Sequence, residues 1–337
     1  MQSPRLEPMA VIGAGSWGTA LAIQMARAGH PTRLWGRDPA QLEAMRRARR
    51  NVRYLPQAAF PDALQVVPDL IEALRGARDA LVAVPSHAFR ATLGGLEPHL
   101  CADTRVAWAS KGFEIATGLL PHQVANEVFG ERPGAVLSGP TFAREVGAGL
   151  PTAMTVASLD EHFAKELVLR LSGPHFRAYT HSDIIGVEVG GAVKNVIAIG
   201  SGIADGMGFG ANTRVALITR GLAEMMRLGV KLGARRETFM GLACLGDLVL
   251  SCTDDESRNR RLGLALGRGA SLRVAQSGID QVLEGVTAAG AVRTVAQRLA
   301  VEMPICQEVY RVMHEGKPVR AAVQALMGRE SRAEVDS

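Results

Sequence analysis

At the start of the chain stands Met9-Ala-Val-Ile-Gly-Ala-Gly-Ser-Trp-Gly-Thr19, an apolar run that leads into three spaced glycines. Gly13, Gly15 and Gly18 have the G-x-G-x-x-G spacing of a dinucleotide-binding turn, which requires a strand before it and a helix after it. The apolar run predicts that strand, and the Ala-rich stretch Thr19–Ala28 predicts the helix. The glycines allow a tight turn, backbone approach to a pyrophosphate and close helix packing, so we expect nucleotide binding at this helix N-terminus.

The composition describes an ordinary globular protein. A length of 337 residues suggests about two domains, and 47% hydrophobic with 21% charged residues is typical of a packed core. The net charge of +5 suits a small anionic ligand. Aromatic residues make up only 4%, which disfavours stacking surfaces for nucleic acid, so we expect no nucleic-acid partner.

Targeting and metal signals are weak in this sequence. Residues 1–8 have no apolar core, which argues against a signal peptide. The apolar segment Ile184–Ile203 carries Glu188 and Lys194, so we expect no integral membrane segment. The four cysteines and eight histidines show no ligand spacing. We therefore expect reduced thiols, no metal and a cytoplasmic protein.

The first half alternates apolar runs with helical patterns. The predicted later strands are Thr32–Trp35, Ala80–Val84, Arg105–Ala109 and Ala135–Leu137. Such alternation predicts an α/β fold, here a Rossmann-like, doubly wound, mostly parallel sheet. Ligands bind beyond the carboxyl ends of such strands, where this chain has Gly-, Ser- and Pro-rich loops.

The second half is predicted to be all-helical. Long helices are expected over 183–203 and 212–228, the latter with Asn212 as N-cap and Gly229 as its stop. The helical spacing of Val215, Ile218, Leu222 and Met225 predicts a core face. We therefore divide the chain into a dinucleotide-binding domain (1–182), a helical substrate and catalytic domain (183–327) and a disordered tail (328–337).

The end of the second strand bears on the choice of nicotinamide cofactor. An acidic residue there would bind the ribose of NAD, but the expected position is Gly36, followed by Arg37. A guanidinium favours the 2′-phosphate, so we expect NADP(H), with NAD(H) possible if Asp38 is the ribose acid. A basic run follows, interpreted as a solvated helix face from which one or two side chains could reach the adenosine phosphate: Arg46, Arg47, Arg49, Arg50 and Arg53.

Three features carry potential chemistry. Lys194 lies within an apolar helix, where burial requires a partner or a lowered pKa; the alternative is a lysine that reaches the surface. Asp247 lies in an apolar run and would pair with a cation such as Lys194, or cap a helix. The run 257–261, Ser-Arg-Asn-Arg-Arg, could hold a phosphate or begin a surface helix.

Taken in order, these motifs resemble the bacterial-type NAD(P)-dependent glycerol-3-phosphate dehydrogenase family. The resemblance extends over roughly residues 8 to 325. Its motifs are Gly13-Ala-Gly-Ser-Trp-Gly18, Ser110-Lys-Gly112, Leu137-Ser-Gly-Pro-Thr-Phe-Ala143, Gly186-Val-Glu-Val-Gly-Gly-Ala-Val-Lys-Asn195, Gly206-Met-Gly-Phe-Gly-Ala-Asn212, Gly246-Asp247, Ser257-Arg-Asn-Arg-Arg261 and Val282-Leu-Glu-Gly285.

The resemblance implies reduction of dihydroxyacetone phosphate to sn-glycerol 3-phosphate, for phospholipid synthesis, with Lys194 as proton donor and acceptor and Asp247 orienting it. The substrate residues it implies are Lys111, Gly139, Thr141, Lys194, Asp247, Ser257, Arg258 and Asn259. The cofactor residues, including the glycine turn, are Gly13, Gly15, Ser16, Trp17, Gly18, Arg37, Lys111, Ala143, Arg258, Val282 and Glu284.

Two other functions fit parts of the sequence. A 3-hydroxyacid dehydrogenase of the same two-domain superfamily would bind a carboxylate, whereas Lys111 with Ser257, Arg258 and Asn259 favours a phosphate. A nucleotide-sensing binding protein would have lost the chemistry, yet Lys194 and Asp247 are present. A homodimer is the default expectation for the oligomeric state.

Overall fold

The computed structural model describes residues 7–279 and 284–330. The strands are β1 (Met9–Ile12), β2 (Thr32–Trp35), β3 (Arg50–Asn51), β4 (Leu55–Ala59), β5 (Leu64–Val66), β6 (Asp79–Val82), β7 (Arg105–Trp108), β8 (Gly134–Ser138), β9 (Thr152–Ser158) and β10 (Phe176–His181). The α-helices are α1 (Ser16–Arg27), α2 (Pro39–Ala48), α3 (Leu70–Leu74), α4 (Ser86–Leu96), α5 (Pro121–Phe129), α6 (Ala143–Ala148), α7 (Glu161–Leu171), α8 (Ile184–Gly206), α9 (Ala211–Lys231), α10 (Asp247–Thr253), α11 (Arg258–Gly267), α12 (Leu272–Ser277), α13 (Glu284–Arg298), α14 (Pro304–His314) and α15 (Val319–Met327).

Eight strands form one twisted sheet in the order β10-β9-β8-β7-β6-β1-β2-β5. All neighbours are parallel except β8 and β9, and β3 pairs with β4 in a separate antiparallel ribbon. Helices cover both faces over two apolar clusters. The predicted mostly parallel, doubly wound sheet is confirmed. Because β1 lies where the strand order reverses, the glycine turn opens at the ligand-binding edge.

The individual strands agree with the prediction in part. β2 has the predicted bounds, and β6, β7 and β8 differ by one or two residues at their ends. β9 and β10 were not predicted. β10 is an edge strand with mostly half-buried or exposed residues, so it lacks the continuous apolar run that marks a central strand.

The helical half surrounds α8. This 23-residue helix is apolar and long enough to cross a membrane, but 94% of its most apolar 18-residue stretch is buried inside the protein. Its neighbours α9, α10, α11, α13 and α14 enclose it in the largest apolar cluster. The helix is therefore the core of this half.

Three predictions about α9 are wrong. The helix begins after Gly210 instead of Asn212, and it continues through Gly229 to Lys231. Gly229 serves packing instead, because the ring of Phe239 occupies the space that a side chain would need. Val215 is 62% exposed, whereas Ile218, Leu222 and Met225 are buried as predicted.

Candidate active site

A cleft of about 920 Å³ lies where the carboxyl ends of the strands face the helical half. Eleven of the predicted site residues line it: Ser16, Trp17, Lys111, Thr141, Ala143, Lys194, Asp247, Ser257, Arg258, Asn259 and Glu284. The loops after β1, β7 and β8 therefore meet the helical elements in one place. Val282 lies outside the described residues, as do residues 331–337 of the predicted tail.

At the bottom of the cleft, one carboxylate binds two lysines. Asp247 is 1% exposed and Lys194 is 8% exposed. Lys111 Nζ donates to Asp247 Oδ2 at 2.7 Å, and Lys194 Nζ donates to Asp247 Oδ1. Lys194 also donates to Ser251 Oγ at 3.0 Å. The three charged groups carry a net charge of +1, which favours an anionic ligand.

The environment alters both buried groups of this centre. Burial lowers the pKa of Lys194 to about 8, with Asp247 opposing that change and Lys111 adding to it. Burial alone would raise the pKa of Asp247, but the two lysines hold it below its usual value. Asp247 therefore stays ionised, while Lys194 can exchange a proton near neutral pH.

Glycines on α8 bring these groups together. A side chain at Gly190 would collide with Cys244, and one at Gly191 would press on the aliphatic part of Lys111. A π-helical turn, Leu242–Gly246, leads directly into α10 and Asp247. Such turns often occur at functional sites because they re-aim the residues that follow them.

The first turn of α11 forms another wall of the cleft. Ser257 caps the helix, accepting a hydrogen bond from Arg260 N at 3.3 Å. Asn259 Oδ1 accepts one from Gly285 N at 3.1 Å, which fixes the start of α13. Arg260 does not line the cleft; it is buried and pairs with Asp205 at 2.6 Å. The run 257–261 is therefore divided between the cleft and the helix packing.

The three glycines of the turn have different surroundings. A Cβ atom at Gly13 would overlap the carbonyl oxygen of Ala83, and one at Gly18 would overlap that of Gly13. At Gly15 a Cβ would meet nothing within 4 Å. The indole nitrogen of Trp17 is buried without a hydrogen-bond partner among the described residues. An open cradle and a buried donor at the start of α1 fit a pyrophosphate-bearing cofactor.

Directly after β2, Gly36 is buried, whereas Arg37 and Asp38 are exposed. Asp38 Oδ1 accepts hydrogen bonds from Ala40 N and Gln41 N, so this carboxylate caps α2. Gly36 packs against Ala14, where a Cβ would lie 2.7 Å from that methyl group. Arg37 follows Gly36 and does not line the cleft.

The arginines of the basic run lie outside the cleft lining. Arg46 and Arg47 pair with Glu43 on the exposed face of α2. Arg49 donates to the carbonyls of Phe60 and Pro61, and Arg50 donates to that of Pro56. Arg53 stacks on Tyr54, with its guanidinium carbon 5.1 Å from the ring centre.

Thr141 and Glu284 line the cleft, whereas Gly139 is not among the lining residues. Gly139 is buried with φ +156°, and a Cβ there would lie 2.9 Å from Met154 Cα. Thr141 Oγ1 donates to Gly139 O at 3.3 Å. Glu284 Oε2 lies 3.5 Å from Asn195 Nδ2.

Sequence reasoning missed Ser251, although it follows Asp247 by four residues on one helix face, a spacing that could have indicated it.

The fold and the cleft are those of a dinucleotide-binding α/β protein with a buried lysine–carboxylate centre. Within the described residues, no three His, Cys, Asp or Glu side chains gather as they would around a metal ion. The family model for the N-terminus of NAD-dependent glycerol-3-phosphate dehydrogenase matches residues 8–164, and that for its C-terminus matches 183–324. The chain belongs to this family.

Similar proteins cover nearly the whole chain. Proteins named glycerol-3-phosphate dehydrogenase [NAD(P)+] from Tolumonas auensis and Yersinia pestis are 53% and 56% identical over 328 residues. These matches cover 97% of this chain, with 98% and 97% of the relatives. The crystal structure of glycerol-3-phosphate dehydrogenase from Coxiella burnetii is 47% identical, with a TM-score of 0.93, and covers 97% of this chain and 100% of that one.

Proposed function

We propose that the protein is an NAD(P)-dependent dehydrogenase that reduces dihydroxyacetone phosphate to sn-glycerol 3-phosphate. The observation that carries the proposal is the pair of lysines bridged by Asp247, beside a glycine turn. Relatives more than half identical to this chain bear the name glycerol-3-phosphate dehydrogenase [NAD(P)+]. The product would serve phospholipid backbone synthesis.

The proposed cofactor is NADP(H) in preference to NAD(H). When bound, the reduced nicotinamide supplies the hydride. Arg37 at the end of β2 is the proposed contact for the 2′-phosphate, because Asp38 is used as a helix cap. The residues proposed to hold the cofactor are Gly13, Gly15, Ser16, Trp17, Gly18, Arg37, Lys111, Ala143, Arg258, Val282 and Glu284.

The proposed substrate is a small phosphate ester. Lys111 brings positive charge from the sheet side, and Arg258 brings a planar guanidinium from α11, which suits bidentate binding of a phosphate. Binding energy at the phosphate would hold the ketone carbon in place for reduction. The proposed substrate residues are Lys111, Gly139, Thr141, Lys194, Asp247, Ser257, Arg258 and Asn259.

Lys194 is the proposed general acid and base. In ketone reduction, the ammonium of Lys194 first stabilises the negative charge that develops on the ketone oxygen. It then donates a proton to that oxygen. Asp247 keeps the ammonium oriented and, with Lys111, sets the local charge. Because the pKa of Lys194 is about 8, the reduction should slow above that pH and the reverse oxidation should speed up.

The domain division and the cellular setting belong to the same proposal. We propose residues 1–182 as the nucleotide-binding domain, 183–327 as the catalytic domain and 328–337 as a tail. We also propose a cytoplasmic homodimer, because the described cysteines are free thiols and dimers are the commonest oligomers. Sedimentation of the purified protein tests the dimer.

The decisive experiment measures oxidation of NADPH and of NADH by the purified protein with dihydroxyacetone phosphate. We expect turnover with both, faster with NADPH. If neither nucleotide is oxidised, two further measurements decide between the alternatives: thermal stabilisation by the nucleotide and turnover with a 3-oxo acid. Stabilisation by the nucleotide alone would indicate a sensor, and turnover with a 3-oxo acid would indicate a hydroxyacid dehydrogenase.

A further inference from the structure

Glu188 is a buried carboxylate on α8 that lies outside the cleft lining and takes no part in the proposed chemistry. It is 3% exposed. Its Oε1 accepts hydrogen bonds from Trp108 Nε1 at 2.8 Å and from His122 N at 2.9 Å, and its Oε2 lies 2.5 Å from His122 Nδ1. All three bonds join α8 to the sheet-bearing half of the protein.

The partners of Glu188 are themselves held rigidly. Trp108 is the last residue of β7, is 2% exposed, and packs edge-on against Phe89 with ring centres 6.1 Å apart. Gly134 on β8 leaves the space that this indole occupies. His122 lies in the first turn of α5, where its backbone N–H has no partner within the helix. Glu188 therefore binds two fixed donors.

The same two elements carry the lysines of the active site. Lys111 follows Trp108 by three residues, and Lys194 follows Glu188 by six residues on the same helix. The aliphatic part of Lys111 crosses α8 at Gly191 before its ammonium reaches Asp247. The spacing of the two lysines thus depends on where α8 lies against the end of β7.

Apolar packing alone tolerates small slides of a helix, whereas a hydrogen bond does not. A slide by the rise of one residue, about 1.5 Å, would break the bond between Glu188 and Trp108. Burial alone would lower the pKa of His122, but Glu188 raises it, which favours a charged pair at this junction. Buried polar networks of this kind specify one arrangement of the elements they join.

We propose that Glu188 is a positioning residue, which holds α8 against β7 and thereby keeps Lys194 and Lys111 at the spacing that Asp247 bridges. The inference rests on the proposed function for its activity readout alone. The geometric claim concerns only this chain's own groups.

The test compares three variants. Glu188→Leu removes the acceptor, Trp108→Phe removes the indole donor but keeps an aromatic ring, and Glu188→Gln keeps an acceptor oxygen. The matched control is Asp79→Asn, because Asp79 is fully buried and binds Arg105 at the opposite end of β7. This variant should lower the free energy of unfolding without moving Lys111 or Lys194.

The first readout is the titration of Lys194, measured by competitive acetylation with mass spectrometry, which requires no turnover. The titratable groups facing Lys194 are Asp247, Lys111 and Glu284. If Asp247 moves away from Lys194, its carboxylate no longer stabilises the ammonium. The midpoint of the Lys194 titration should then fall below the wild-type value in Glu188→Leu and Trp108→Phe. Glu188→Gln and Asp79→Asn should keep the wild-type midpoint.

The second readout is turnover with dihydroxyacetone phosphate. We expect kcat to fall at least tenfold in Glu188→Leu and less in Trp108→Phe, with the KM for the nucleotide within twofold of the wild type. An unchanged Lys194 midpoint and kcat in folded Trp108→Phe would overturn the inference even if Glu188→Leu failed to fold. A wild type without turnover would contradict the proposed function, and the Lys194 midpoints would still decide the positioning role.

Discussion

Glycines bring backbones together in the turn between β1 and α1 and in the crossing of α8 with α11. In the turn, Gly13 and Gly18 lie against neighbouring backbone, whereas Gly15 faces open space. At the helix crossing, side chains on glycines of either helix would overlap backbone atoms of the partner. These four are Gly202, Gly206, Gly263 and Gly267.

The two regions differ in what lies next to their glycines. The turn leaves open space at Gly15, where we propose that the cofactor binds. The helix crossing leaves no room, and its shape serves the protein itself. Since Lys194 lies on α8 and Ser257 caps α11, this crossing sets the proposed general acid and base against the proposed phosphate site. Replacing Gly15 should therefore affect binding, whereas replacing a glycine of the helix crossing should affect folding.

The largest expected effect separates chemistry from nucleotide binding. Lys194→Ala should reduce turnover about 10²- to 10⁴-fold, because the proton donor is lost. Nucleotide affinity, measured by fluorescence titration, should stay near the wild-type value, since the glycine turn is untouched. Turnover close to that of the wild type would remove Lys194 from the mechanism.

The next effect tests the helix crossing. Gly263→Ala places a methyl group on the carbonyl oxygen of Ile199, and the forced separation of α8 and α11 should cost about 1–3 kcal/mol in unfolding free energy. The matched control is Gly94→Ala in α4, where a Cβ meets nothing within 4 Å. In urea unfolding, the free energy of unfolding of Gly94→Ala should exceed that of the wild type by about 0.5–1 kcal/mol. Equal destabilisation in both would refute the packing argument.

Gly15→Ala tests the open position of the turn. Because a Cβ there touches no protein atom, the melting temperature should not change, while affinity for NADPH should fall about tenfold or more, roughly 1.4 kcal/mol. Gly18→Ala is the contrast, since its Cβ overlaps Gly13 O and should destabilise the fold. Wild-type affinity in Gly15→Ala would mean that the backbone here does not approach the cofactor.

The smallest effect concerns cofactor choice. Arg37→Asp exchanges a proposed partner of the 2′-phosphate for a carboxylate that favours a ribose hydroxyl, so the NADPH to NADH ratio of kcat/KM should shift toward NADH. We expect a change of about tenfold, as for the loss of one exposed charge contact. The conservative Arg37→Lys variant should shift the ratio less. An unchanged ratio in Arg37→Asp would assign the choice to other residues.

The sequence predicted most reliably where the signal is local. The glycine spacing and the apolar run before it identified the Rossmann-like half, and β2 has its predicted bounds. The helix ends of α9 were wrong because Asn212 and Gly229 have capping residue types but other roles in context. Val215 follows the core spacing, yet none of the described elements covers it, and it is exposed.

Interactions between distant residues lay beyond such reasoning. An acidic residue in an apolar run predicts a cationic partner, and Lys194 was a reasonable candidate for Asp247. That Lys111 would be the second cation depends on how β7, α8 and α10 pack, which no local pattern encodes. The same holds for Glu188, whose partners are 66 and 80 residues away.

By itself, the sequence determined the class of fold, the glycine turn and the residue types available for proton transfer and phosphate binding, because periodicity and spacing act over a few neighbours. Only the tertiary structure decided which charges share a buried carboxylate and which glycines face open space instead of another backbone. Those outcomes depend on burial and on contacts between distant segments. They arise when the helices dock on the sheet and water leaves the groups between them.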